Sequence, residues 1–264
     1  MAATRIEPEF VKQIWGVHDL SPWFPPQTEL TGEVWFPAGA ILIKFLFTSG
    51  KLSVQVHPDD TYAAKHEGSV GKTEMWHILR AGPRAELALG FKTNVEPEQV
   101  RTAALDKSIE EMLSFYRPSA GDTYFTPAGT VHALGPDLAL CEIQQNSKVT
   151  YRLYDYDRGR ELHLDKSMDV LDPVPHSGKS TPQPLPDGGQ LLAQCPYFVT
   201  ERHEPRDSWI WPGGVMIVLE GEGTLRDGTS QHRFRLGEVW SVDAGATIEP
   251  NSGLALLRTY VPRR

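Results

Sequence analysis

Short runs of apolar and β-favouring residues recur along the chain, bounded by Gly, Pro and other turn residues: AILIKFLF, AELALGF, GDTYFTP, LALCEIQ, YFVTERH, VMIVLEG, HRFRLG and EVWSVD. Runs of this kind predict strands, and their regular return predicts a mainly β fold of sandwiches or barrels. One stretch breaks the pattern. EPEQVRTAALDKSIEEMLSFY, residues 96–116, carries apolar positions at helical spacing with acids early, so a small helical insert is expected there. From HSGKSTPQPLPDGGQ, residues 176–190, apolar content drops and Pro, Gly and Ser dominate, which marks a linker or long surface loop. The expected organisation is a first domain over 1–175, the linker over 176–190, and a second unit over 191–264.

Within the first part, SVQVHPDD places Ser53, Gln55 and His57 on one face of a strand and Val54 and Val56 on the other, before a proline ends the run. Three polar groups pointing one way form either a solvated face or a site. A second constellation stands in GDTYFTPAGTVHALG, where Gly121, Pro127, Gly129 and His132 follow the order G-x5-P-x-G-x2-H. A strand runs there into a tight Pro/Gly turn that aims His132 back toward the sheet interior. Between the two lies GKTEMWHIL, with Glu74 on the strand side of a glycine turn.

GDTYFTPAGTVHALG resembles the second metal-binding motif of the cupin superfamily, with Pro136 standing where that motif has Asn. The resemblance implies that Gln55, His57, Glu74 and His132 converge on one metal ion. Two imidazoles, a carboxylate and an amide oxygen, without thiolate, suit a catalytic zinc with room for substrate or water. The pattern returns at GEVWSVDAGATI, where Asp243 replaces the proline and Ile248 the histidine. The C-terminal unit is therefore expected to be a degenerate second cupin-like barrel whose role is packing. His203 and His232, lacking partners at ligand spacing, are expected at the surface.

Composition limits the partners. The chain has 264 residues with 26 Lys and Arg against 34 Asp and Glu, a formal charge of −8. That balance argues against nucleic acid or an anionic membrane as partner, while a local basic pocket still admits a small anionic substrate. MAATRIEPEFVKQIWG shows no secretory pattern and no run reaches the length of a membrane span, so a cytoplasmic protein is expected. Only Cys141 and Cys195 are present, too few for a disulfide framework.

SVQVHPDD, GKTEMW, TPAGTVHA and IQQNSKVTYRLYDYDR together resemble the type I phosphomannose isomerases of bacteria, over most of residues 5–172. The resemblance implies two cupin-like jelly-roll β-barrels and one zinc ion per chain on Gln55, His57, Glu74 and His132. It also implies interconversion of mannose 6-phosphate and fructose 6-phosphate. Arg152 falls on the family's catalytic arginine, where a fixed cation stabilises an enediolate. Lys72 and Lys44 fall on positions facing the substrate, and Ser53 is placed to hydrogen-bond its phosphate. For Lys44 the alternative is snorkelling out of an apolar strand to the surface. The proton-transfer base stays open: His77 and Tyr151 are both near, with His77 on the strand face opposite Glu74. Asp155, Asp157 and Arg158 are read as an ion-paired support. The chain is shorter than the family pattern, so a sugar-sensing cupin without catalysis, or a metal-dependent cupin oxygenase, are the competing classes. Oligomeric state, monomer or dimer, is left open.

Overall fold

Every residue of the strand Ile41–Thr48 is buried, including Lys44. Alternation sends Ile41, Ile43, Phe45 and Phe47 into one hydrophobic cluster, while Leu46 joins another. A strand buried on both faces belongs to the middle of a layered structure. The computed structural model describes residues 3–262 and has this arrangement.

The central layer is a six-stranded antiparallel sheet in the order Glu9–Val17, Thr31–Ala38, Ile41–Thr48, Leu138–Gln145, Glu74–Ala81, Thr123–Thr126. One of its faces packs on a five-stranded antiparallel sheet ordered Tyr151–Tyr154, Val54–Val56, His132–Leu134, Leu87–Phe91, Leu113–Tyr116. Leu46, Trp76, Ile78 and Leu140 meet Leu87, Leu89 and Leu134 in the cluster between them. The other face packs on a nine-stranded sheet built from the C-terminal residues and the N-terminal strand Ala3–Ile6, which pairs with Val239–Val242. Phe45 and Met75 there share a core with Phe198, Ile217 and Leu257.

The mainly β, jelly-roll expectation holds with a difference: the sheets form an open sandwich, not closed barrels. The helical insert is shorter than its sequence pattern. Helices span Pro97–Asp106 and Ile109–Met112, and residues 113–116 are a strand paired with Leu87–Phe91. VLEGEGTLRD runs as continuous strand. It lies in one strand, Gly214–Asp227, whose irregularities fall at Glu220 and Glu222 and whose hairpin partner is Ser230–Arg235. Ile248, at the position of the motif histidine, is fully buried in the core of the C-terminal sheet. His203 is also buried rather than at the surface, 3.1 Å from Glu201 and with its ring centre 4.5 Å from that of Trp209. His232 is half-buried against Trp240. No helix among the described residues is long and apolar enough to cross a membrane.

Candidate active site

The proline of SVQVHPDD ends its strand because it has no N–H for the ladder. Asp59 then caps the helix Asp60–Glu67, accepting a hydrogen bond from the Tyr62 N–H at 2.8 Å. His57 is thus held at the junction of a strand and a capped helix.

Three loops that are distant in sequence are stitched together at this junction. The Lys72 N–H donates to the Pro58 carbonyl at 3.0 Å, and the Gly129 N–H donates to the His57 carbonyl at 2.8 Å. The Ala128 N–H donates to Thr73 Oγ1 at 3.1 Å. Two glycines make this closeness feasible. A Cβ on Gly71 would lie 2.5 Å from the Asp59 carbonyl carbon, and Gly129 turns through φ +89.

Above this base two rows of side chains face each other. Across the central sheet, register places Trp35 beside Lys44, Lys44 beside Glu142, and Glu142 beside Trp76. Across the five-stranded sheet, Arg152 is the partner of Gln55, and Gln55 of His132. Glu74 and His57 lie two residues from Trp76 and Gln55, and so on the same faces. The rows enclose a cavity of about 280 Å³, lined by all of these except His57 and His132, which lie behind it.

The ligand atoms of His57, Glu74 and His132 lie within 4.8 Å of one another. His57 Nε2 is 3.5 Å from Glu74 Oε2, and His132 Nε2 is 3.3 Å from Glu74 Oε1. His132 Nδ1 donates to the Thr130 carbonyl at 2.8 Å, which leaves the Nε2 lone pair facing the cluster. Burial pushes the His132 imidazole down to about 4 and holds His57 well below its usual range, so both rings are neutral. Burial, reinforced by the charge of Glu142, raises the Glu74 carboxyl to about 7. Both Glu74 oxygens are buried without an aligned hydrogen-bond donor, although the Lys72 ammonium stands 3.2 Å from Oε2. Two neutral imidazole nitrogens within 3.5 Å of a buried carboxylate that lacks an aligned donor fit a divalent cation, since such a group is costly to bury otherwise. The Gln55 amide points Nε2 at His132, 3.2 Å away, and accepts from Ser53 at 3.4 Å, so ligation through Oε1 requires the amide to turn over.

The remaining expected residues separate. Lys72 lies 3.0 Å from His57 Nε2, inside the cluster. Lys44 does not snorkel to the surface. It is buried 3.0 Å from Glu142 and 3.6 Å from Glu33, and these carboxylates outweigh burial and raise its pKa. Arg152 lines the cavity with its Nη1 3.4 Å from the Glu161 carbonyl. Tyr151 points out of the cavity and donates to Glu67 at 2.6 Å. His77 packs on Thr123 at 3.0 Å, on the sheet face away from Glu74. Asp155 is ion-paired to Arg158 and Arg160, and Asp157 to Lys107.

Sequence reasoning missed Glu142. Burial opposes its ionisation, but the charges of Lys44 and Lys72 and a 3.0 Å hydrogen bond from Trp76 Nε1 lower its pKa overall. A signal existed: LALCEIQ carries one acid, and AILIKFLF one base, at positions where apolar strands otherwise have none.

No protein-family model matches the chain. It is 33% identical over 232 residues to the mannose-6-phosphate isomerase of Streptococcus mutans, covering 83% of this chain and 73% of that protein. It is 40% identical over 227 residues to a probable mannose-6-phosphate isomerase of Bacillus subtilis, covering 79% and 71%. Among solved structures, it superimposes on a mannose 6-phosphate isomerase from Bacillus subtilis with TM-score 0.88 at 24% identity, over 99% of this chain and 100% of the other. A putative mannosephosphate isomerase from Archaeoglobus fulgidus gives TM-score 0.81 at 18% identity, over 99% and 98%. These likenesses extend the same fold across the whole chain.

Proposed function

The chain belongs to the mannose-6-phosphate isomerase family, and from that premise we propose that it interconverts mannose 6-phosphate and fructose 6-phosphate with one zinc ion held by Gln55, His57, Glu74 and His132. The observation that carries the metal assignment is the buried Glu74 carboxylate, without an aligned donor and flanked by two imidazole nitrogens at 3.3 and 3.5 Å. When bound, the zinc supplies an electrophile that polarises the sugar oxygens.

The chain's own groups do the rest. Isomerisation moves a proton between C2 and C1 of the opened sugar. Glu142, ionised and at the cavity wall, takes the proton from one carbon and returns it to the other. Lys44 keeps that carboxylate charged at 3.0 Å. Arg152 faces the cavity from the opposite sheet and balances the negative charge that develops on the enediolate oxygens. Its pKa is lowered by burial and by Arg160, yet a guanidinium stays protonated at any working pH. Lys72 adds a second cation beside the ligands, and Ser53 offers a hydroxyl on the cavity wall. Trp15, Trp35 and Trp76 give the cavity apolar walls that limit water.

The test is a coupled isomerase assay with mannose 6-phosphate, run on the purified chain, after chelation, and after zinc is restored. Turnover that disappears and returns with zinc supports the reading. A zinc-loaded protein that binds the sugar phosphate without turning it over would make it a binding module.

A further inference from the structure

Lys148, Thr150 and Arg152 all line the cavity, while the residues between and after them, Val149, Tyr151 and Leu153, pack into the hydrophobic core behind the five-stranded sheet. That is the period-two alternation of an extended strand, and it lays a lysine, a hydroxyl and an arginine along one ledge. Exposure falls along it, from an exposed Lys148 to a half-buried Thr150 and Arg152.

The cations around the cavity differ in what already neutralises them. Lys44 lies between Glu142 and Glu33, Lys72 beside Glu74, and Arg160 on Asp155. Lys148 has no carboxylate partner among the described residues. Its ammonium rests 5.0 Å from the centre of the Trp35 ring, and that ring is fixed by a 2.5 Å hydrogen bond from its Nε1 to Glu33. An exposed cation–π contact is weaker than a charge-assisted hydrogen bond to phosphate. A phosphate monoester carries about −1.5 to −2 charges near neutral pH. Brought to Lys44, it would also meet the carboxylates of Glu142 and Glu33; brought to Lys148, it meets an uncompensated cation.

We propose that Lys148, with the hydroxyl of Thr150 beside it, seats the phosphate of the substrate at the cavity mouth, in place of Lys44. The inference rests on the family reading for its substrate, and it assigns Lys148 to binding and not to proton transfer.

The experiment compares the full-length zinc-loaded chain with Lys148→Ala and Lys148→Arg. In the isomerase assay, Lys148→Ala is expected to raise KM for mannose 6-phosphate about tenfold with kcat changed less than threefold, and Lys148→Arg to restore most of the loss. The KM difference should shrink as salt rises, because the ammonium is exposed. Calorimetric titration with inorganic phosphate provides a readout independent of turnover: Lys148→Ala should weaken phosphate binding about tenfold, whereas phosphate held at the metal would be indifferent to the substitution. If the wild type turns over and Lys148→Ala leaves both KM and phosphate binding unchanged, the inference fails and the family reading stands. If the wild type does not turn over, that reading fails, and the phosphate titration alone decides the ledge.

Discussion

Lys44 and Glu142 are direct partners across two fully buried antiparallel strands, and their charged groups meet at 3.0 Å inside the protein. A pair of this kind costs desolvation on both sides and seldom adds net stability. Its use here is to keep a carboxylate ionised at the wall of a cavity. Glu142→Gln is therefore expected to lower kcat by about 10²–10⁴-fold with zinc content unchanged, as checked by steady-state kinetics and metal analysis. Undiminished kcat would remove Glu142 from the proton transfer. Lys44→Met should raise the Glu142 pKa, so the acid limb of the pH–rate profile moves to higher pH.

His132 and Arg152 flank Gln55 on the five-stranded sheet, and their proposed roles separate. His132→Ala removes a proposed ligand whose Nε2 faces Glu74 and should abolish bound zinc, measured by metal analysis after dialysis. Arg152→Ala touches no ligand in the cluster and should keep the zinc while losing most activity. A fully active arginine variant contradicts its assigned role.

Metal affinity should depend on pH through Glu74. Its carboxyl is raised to about 7, so at lower pH zinc must displace a proton from it, while burial holds both imidazoles below their usual range, His132 to about 4. Apparent zinc affinity is expected to fall about tenfold per pH unit between pH 7 and 5, since one proton leaves per ion bound. Competition titrations with a chromophoric chelator measure it, and a flat profile would show that Glu74 is already ionised.

His77 gives stability its own pH dependence. It is buried, and desolvation first, then the charge of Arg202, lowers its pKa from 6.5 to about 4. A depressed folded-state pKa means that the unfolded chain takes up the proton first. The contribution is fully present above pH 6.5 and is lost as pH falls through about 4. Relative to His77→Gln, the wild type should lose roughly 3 kcal/mol of unfolding free energy over that window, read from urea titrations at each pH.

The C-terminal sheet and the catalytic sandwich share a core. Phe198 is fully buried and meets Phe125 of the central sheet edge-on, with ring centres 6.4 Å apart. Phe198→Ala should cost about 3–5 kcal/mol and shift a single unfolding transition. Two separated transitions, with only one of them moved, would show that the two units fold independently.

Much of this was legible in the chain itself. Runs such as LALCEIQ and EVWSVD became strands because turn residues bound them and apolar side chains filled them. Gln55, His57, Glu74 and His132 stood out by motif, and His57, Glu74 and His132 do converge. The short helix after HPDD was not foreseen, because its cap is a single Asp59 and its eight residues carry little apolar pattern. Lys44 stayed open between facing the substrate and reaching for solvent, since Glu142, the carboxylate it meets at 3.0 Å, is far from it along the chain.

What the sequence determined alone was therefore everything set by neighbours along the chain: strand period, turn chemistry, the candidate ligand residues and the family. The tertiary structure decided which strands lie side by side and which faces oppose. Only register placed Lys44 against Glu142 and Arg152 beside Gln55, and only layering left the sheets an open sandwich around one cavity. Pairing register depends on packing between distant segments, which no local period encodes.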